Sequence, residues 1–113
     1  MIISWNVKGI NNSGKCHEVI SHLKNLNPVM AILIETKVKF SNVKKVINKF
    51  GNKWQLINNY VNHNNGRIWI LWDDTRIKVV NHGFPAHHIH CSLHYPTGEL
   101  INGCTTIYAH DQL

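Results

Sequence analysis

"MAILIETK", residues 30–37, passes through five apolar positions and then turns at once to a carboxylate, a hydroxyl and an ammonium. A run that is apolar at successive positions has no face for water, as expected of a covered interior strand in an α/β sheet. Val29 to Ile34 is therefore expected as a strand with a layer packed on each side. The residue that ends it, Glu35, is one of only 6 acids set against 12 lysines and arginines. What this acid does depends on what stands beside it.

Upstream, residues 1–7, "MIISWNV", alternate with period two, placing Ile3 and Trp5 on one face and Ser4 and Asn6 on the other. "GINNSG" follows as a loop in which Asn12 or Ser13 can cap a helix from about Lys15 to Leu26. Cys16, Val19, Ile20, Leu23 and Leu26 recur at helical spacing and form one buried stripe. Asn27–Pro28 ends that helix, because the residue before proline is forced out of the helical region. Two strands joined by a helix make a right-handed crossover, so they are expected as parallel neighbours. Their carboxyl ends share a rim, and that is where open α/β sheets take ligands. Asn6 and Glu35 should then converge there. A carboxylate beside an amide oxygen suits Mg²⁺, and a divalent ion in that place can polarise a phosphodiester. The plain alternative is a strand that becomes polar as it leaves the sheet.

Downstream, Ser41 is expected to cap a second helix that buries Val43, Val46, Ile47 and Phe50. Gly51 ends it, and Lys44, Lys45 and Lys49 are placed toward its negative carboxyl end. From Lys53 the period changes to two, with strands near 54–58, 67–72, 77–81, 88–94 and 100–108. "PTG" at 96–98 turns the last pair into a hairpin. The order is βαβα followed by antiparallel strands, an α/β (α+β) arrangement with helices on one side of a mixed sheet and later strands starting a second layer. Residues 1–113 are read as one domain.

The formal charge is +6, with 9 histidines besides, which favours a polyanionic partner such as nucleic acid. No apolar run approaches the ~20 residues of a membrane span, and no basic-then-apolar leader precedes the first strand. Three cysteines, Cys16, Cys91 and Cys104, lack Cys-x-x-Cys spacing, which fits a reducing compartment. The expectation is an intracellular protein, nuclear or cytoplasmic and not secreted.

"SWNVKGIN" at 4–11 followed by "LIETK" at 33–37 resembles the first two motifs of the endonuclease/exonuclease/phosphatase superfamily. "NGRIWILW" at 65–72 is similar to that family's Gly-rich third strand, and "TTIYAHDQL" at 105–113 to the strand that carries its phosphate-contacting tyrosine. The wording is most similar to the endonuclease domains of plant LINE-type retrotransposons. The resemblance implies a Mg²⁺-dependent DNA endonuclease, a phosphodiester hydrolase built as a four-layer α/β/β/α sandwich. It further implies that Asn6 and Glu35 hold the metal and that Tyr108 contacts phosphate. Lys8, Lys37 and Arg67 are the residues expected to bind the nucleic-acid backbone, of DNA or RNA.

The family completes its site with an Asp-x-Asn motif, a later Asp and a final Asp-His pair. None of these occurs here: no "DxN" is present, and His110–Asp111 has the reverse order. Lys8 stands where repair relatives carry an acid, and Asp111 where many relatives carry an Asn. The chain therefore resembles the amino-terminal half of such a domain, truncated before the carboxy-terminal motifs. It is expected to be inactive alone, to bind Mg²⁺ weakly, and to self-associate through an exposed sheet face or edge.

Two other readings compete. A non-catalytic binding module would use the rim lysines, Lys15 and Lys39 among them, without chemistry. A His-rich zinc module would use His88, His90 and His94, which alternate onto one strand face.

Overall fold

β1 (Ile2–Asn6) and β2 (Met30–Ile34) pair in parallel, with Ile2 opposite Met30 and Asn6 opposite Ile34. The crossover between them is α1 (Ser13–Leu26), which starts two residues before the expected Lys15. Its cap is Asn12, whose Oδ1 accepts from the Gly14 and Lys15 N–H groups at 2.8 and 3.2 Å. Asn27 closes the helix in the left-handed region (φ 47°, ψ 53°), and Pro28 follows. The computed structural model describes residues 2–58, 68–83 and 88–108, without the side chains at 82–83, 88–90, 100 and 102–108.

After β2 a single 3₁₀ turn, Phe40–Asn42, leads into α2 (Val43–Phe50), and Gly51 (φ 104°) ends it. Ser41 does not cap α2: it lies inside the 3₁₀ turn, and the capping position falls to Asn42, which makes no side-chain cap bond. This later start puts Lys44 and Lys45 in the first turn of α2 and leaves only Lys49 in the last. Leu26, expected in the buried stripe of α1, is 37% exposed, because the stripe runs off the end of the sheet after Leu23.

β3 (Trp54–Asn58) and β4 (Ile68–Asp73) complete a four-stranded sheet in the order β1-β2-β4-β3, with β4 antiparallel to both its neighbours. β5 (Lys78–Gly83), β6 (His88–His94) and β7 (Leu100–Tyr108) form a second, antiparallel sheet in the order β5-β6-β7. β4 and β5 each lie one residue later than their spacing implies at the start. A turn closed by Gly98 N–H to Tyr95 O (2.8 Å), with Gly98 at φ 100°, joins β6 to β7 at "PTG".

Ala31 and Leu33 of β2, with Trp69 and Leu71 of β4, pack against α1 and α2 around Val19, Leu23, Val46 and Phe50. The alternate residues Met30, Ile68, Ile70 and Trp72 pack against Ile77, Cys91 and Leu93 of the second layer. The result is three layers, helices on sheet on sheet, and β2 is greasy on both faces because both are covered. The inner face of the first sheet is covered by the second sheet, as the apolar run of β2 implies. Burial of a large aliphatic side chain contributes about 1.5–3 kcal/mol, so the two faces together dominate the stability of the sheet. Trp54, Trp69 and Trp72 lie in the core and Trp5 is half-buried, in keeping with their place in apolar strands. Cys16 and Cys91 are buried in different clusters and form no disulfide with each other. Among the described residues no helix is long and apolar enough to cross a membrane.

Candidate functional site

Beyond the last residues of β1 and β2 the two chains remain zipped. Val7 N–H donates to Ile34 O (3.0 Å), Gly9 N–H to Glu35 O (2.7 Å) and Ile10 N–H to Thr36 O (2.8 Å). Four non-glycine residues have positive φ among the described residues, and three of them lie on this rim: Lys8 (52°), Glu35 (58°) and Lys37 (57°). Each left-handed residue costs about 1–2 kcal/mol, while each backbone hydrogen bond returns only about 1 kcal/mol net. The bonds alone do not hold this shape. Val7, Ile10, Thr36 and Val38 are all at most 1% exposed, and the burial of the three aliphatic side chains is large enough to impose the strained path. Thr36, a polar residue with no apolar pattern to mark it as buried, is the pin beneath the rim.

The consequence is that alternate residues are turned outward. Lys8 and Lys37 are exposed and Glu35 is half-buried. Gly9 (φ 95°) lies so close to Lys37 that an added Cβ would stand 3.3 Å from its Cδ, so the Lys37 stem runs over Gly9 beside the acid. Strain of this kind collects at functional sites, where the fold overrides local preference.

Asn6 and Glu35 meet on this rim. The Asn6 side-chain amide donates from Nδ2 to Glu35 Oε2, while its Oδ1 accepts the Lys8 N–H at 3.0 Å. The Lys8 contact requires an acceptor and the Glu35 contact a donor, so the two together fix the orientation of the amide. Asn6 is thus a clamp that orients the carboxylate. A half-buried, oriented carboxylate at a sheet rim can hold a hard divalent cation together with waters.

The remaining expected residues are distributed as follows. Arg67 lies outside the described residues. The backbone of Tyr108 ends β7 opposite His88, but its side chain lies outside the described ones. Lys15 does not reach the rim: its Nζ sits 5.6 Å from the centroid of the Trp5 ring and 3.8 Å from Glu18, on the helical side of the sheet. Lys39 is exposed just past the rim, next to Phe40. For the zinc reading, His88 and His90 have undescribed side chains. The imidazole of His94 is engaged at both nitrogens, with Ser92 Oγ at 3.0 Å and Gly98 O at 3.2 Å. Among the described residues no three His, Cys, Asp or Glu side chains gather as a metal site.

At the opposite end of the sheet a polar knot locks the turn between β4 and β5. Asp73 accepts from the Thr75 hydroxyl (2.6 Å) and Thr75 N–H (3.0 Å), and Arg76 donates to Asn27 O and Oδ1, both at 3.1 Å. The Thr75 hydroxyl chiefly holds the Asp73 carboxyl below its ordinary range, with Lys53 and Arg76 adding to the effect against the opposing influence of burial. On α1, burial pushes the Cys16 thiol up despite the nearby Lys49 ammonium.

No family model matches the sequence. No curated protein matches it either. Among solved structures, the chain is similar to humanized D. rerio TDP2 carrying 14 mutations, with 16% identity and a TM-score of 0.64. The match covers 98% of this chain and 51% of that one, so the chain spans about half the length of the structure it resembles. At that identity the likeness shows the fold. It supports the endonuclease/exonuclease/phosphatase fold implied by the motifs at 4–11 and 33–37.

Proposed function

We propose that this chain carries the metal-holding rim of a Mg²⁺-dependent phosphodiesterase that cuts DNA, of the retrotransposon endonuclease type its motifs resemble. The observation that carries the proposal is the Asn6–Glu35 pair, set on the carboxyl rim of the parallel strands by a backbone held in an unfavourable conformation. Mg²⁺ fits this donor set, because it is bound through one or two carboxylates and retains several waters. Glu35 is the ligand, and Asn6, whose oxygen is shared with the Lys8 N–H, fixes the ligand's orientation. When bound, the ion would polarise the scissile phosphodiester and stabilise its leaving oxygen. Lys8 and Lys37 hold backbone phosphates beside it. Arg67 and Tyr108 are assigned to phosphate on their motifs, and the reversals of direction through β5, β6 and β7 support a place for Tyr108 near the same rim.

No base able to activate water is assigned among these residues, and a grouped site loses function non-additively when members are missing. Purified residues 1–113 are therefore expected to bind Mn²⁺ or Mg²⁺ weakly and not to nick supercoiled plasmid. Mn²⁺ should broaden the Asn6 side-chain amide signal in NMR spectra, and Glu35→Gln should abolish that broadening. Joining residues 1–113 to the carboxy-terminal half of a LINE-type relative's domain should give Mg²⁺-dependent nicking that Glu35→Gln removes. Undiminished broadening in Glu35→Gln would refute the metal assignment. Nicking by residues 1–113 alone, lost in Glu35→Gln, would refute the division of the site between two halves.

A further inference from the structure

Phe40 is 65% exposed, the most exposed large apolar side chain among the described residues. A single exposed aromatic is ordinary on a protein surface. Its setting is not. The segment "KVKFSNVKK", residues 37–45, holds four lysines and no acid, and it leads directly from the Glu35 rim onto the outer face of α2.

The second observation is independent of the first. Lys44 and Lys45 occupy the first turn of α2, where no acid is present. The amino end of a helix carries partial positive charge, so each lysine there is disfavoured, by about 0.3–1 kcal/mol at low ionic strength. Local preference overridden in this way is expected at functional positions. A phosphate group would relieve this conflict, since anions are favoured at that end of a helix and by the lysines themselves.

We propose that Phe40 and the lysine face of α2 form a binding track for a single-stranded DNA segment adjoining the Asn6–Glu35 rim. Phe40 stacks on an unpaired base, and Lys39, Lys44 and Lys45 hold the flanking phosphates. Lys49 continues the track one turn beyond Lys45, about 6 Å along the helix axis. The segment is single-stranded because a paired base already has both faces covered by its neighbours, whereas an unpaired one offers a face to an exposed ring. An anionic membrane is the poorer occupant. Val46 and Phe50 of α2 are turned into the core, so the helix has no apolar face to insert. The choice of DNA rests on the proposed cleavage function, but the binding itself needs no metal.

The test is fluorescence anisotropy in EDTA, using residues 1–113 with a labelled oligothymidylate and a labelled blunt hairpin duplex. Phe40→Ala should weaken binding of the single strand by about 5- to 150-fold, the range for losing one stacked base. It should change duplex binding less than twofold, and Phe40→Trp should preserve single-strand affinity. Lys44→Gln with Lys45→Gln should flatten the single-strand salt slope by about 1.4, at 0.7 for each phosphate contact. The same double variant should melt no lower than the parent, because it removes charge from the wrong end of a helix. Equal losses for single strand and duplex in Phe40→Ala would overturn the proposal, as would unchanged single-strand affinity. So would a Phe40→Ala defect confined to anionic vesicles. Glu35→Gln should leave this binding intact, so failure of the metal assignment and failure of the track give different results.

Discussion

Replacing Gly9 by alanine tests whether the two rim loops are held as one unit. Gly9 has φ 95°, and its N–H makes the 2.7 Å bond that fixes the carbonyl of Glu35. An alanine there carries the cost of a left-handed backbone, about 1–2 kcal/mol. Its Cβ would also stand 3.1 Å from Asn11 Oδ1 and 3.3 Å from Lys37 Cδ. Both neighbours are side chains that must give by a few tenths of an ångström at once, so up to a further ~1 kcal/mol is expected from the crowding. The total is about 1–3 kcal/mol. With an unfolding entropy near 2.1 cal/mol/K per residue, a domain of this size loses about 4 °C per kcal/mol, which gives a fall of roughly 4–12 °C. Two internal controls share the conformation without the crowding: Gly51 (φ 104°) and Gly98 (φ 100°) have nothing within 4 Å of an added Cβ. Thermal unfolding followed by circular dichroism should rank Gly9→Ala as the most damaging of the three, by up to about 4 °C. It should also weaken Mn²⁺ broadening at Asn6, which the controls leave alone. If Gly9→Ala melts with Gly51→Ala and Gly98→Ala, the contacts around Gly9 do not hold the rim.

Three further outcomes are expected. Because the folded-state pKa of Asp73 is depressed, chiefly by Thr75, its contribution to stability is complete above its unfolded value of about 4 and is lost as pH falls through the folded value. Thr75→Val should therefore cost about 1.5–3 kcal/mol in urea unfolding at pH 7, a difference that shrinks in acid well below pH 4; an equal cost at both would refute the linkage. Trp69→Ala, at a fully buried position packed on Phe50 with ring centroids 6.2 Å apart, should lose about 3–5 kcal/mol in the same assay. DNA affinity should fall steeply with salt, and Lys8→Ala, Lys37→Ala and Arg67→Ala together should reduce the slope by about 0.9 per lost phosphate contact; an unchanged slope would leave these residues without a role in binding.

The α+β architecture was legible because β1, α1 and β2 each obey one clear period, and the crossover rule leaves a single arrangement for them. Helix α2 was read with the right buried face but the wrong start. Ser41 has a capping side chain, yet the tight exit from β2 demands a 3₁₀ turn first, and no local pattern reports that demand. The meeting of Asn6 with Glu35 followed from strand direction alone. The donor-acceptor arrangement did not, since it depends on the Lys8 N–H, whose position is set by a left-handed residue that sequence gives no reason to expect. Lys15 is expected among the rim lysines of a nucleic-acid-binding module. In the fold it stands on α1, and the Trp5 ring draws it to the other side of the strand.

These particulars bear on why an acid terminates so apolar a strand. A carboxylate that holds a cation must keep its position when the ion is absent, or binding must also order the loop. Ordering one residue's backbone costs about 1–2 kcal/mol, and the rim from Glu35 to Val38 would multiply that. Here the order is already present: β2 is covered on both faces, Thr36 and Val38 are buried just beyond it, and Gly9 ties the carbonyl of Glu35 to the neighbouring loop. On the proposed metal role of Glu35, the apolar run would serve the acid by preorganisation. Leu33→Ala, two residues before Glu35 at a fully buried position, should destabilise the fold by about 2–5 kcal/mol. Ile32→Thr, on the opposite, partly buried face, should cost less. If preorganisation is the reason for the greasy strand, both variants should lose Mn²⁺ broadening at Asn6 in proportion to the local amide exchange they induce at Glu35 and Thr36. Variants that loosen those amides while leaving the broadening untouched would show that the carboxylate does not depend on the strand beneath it.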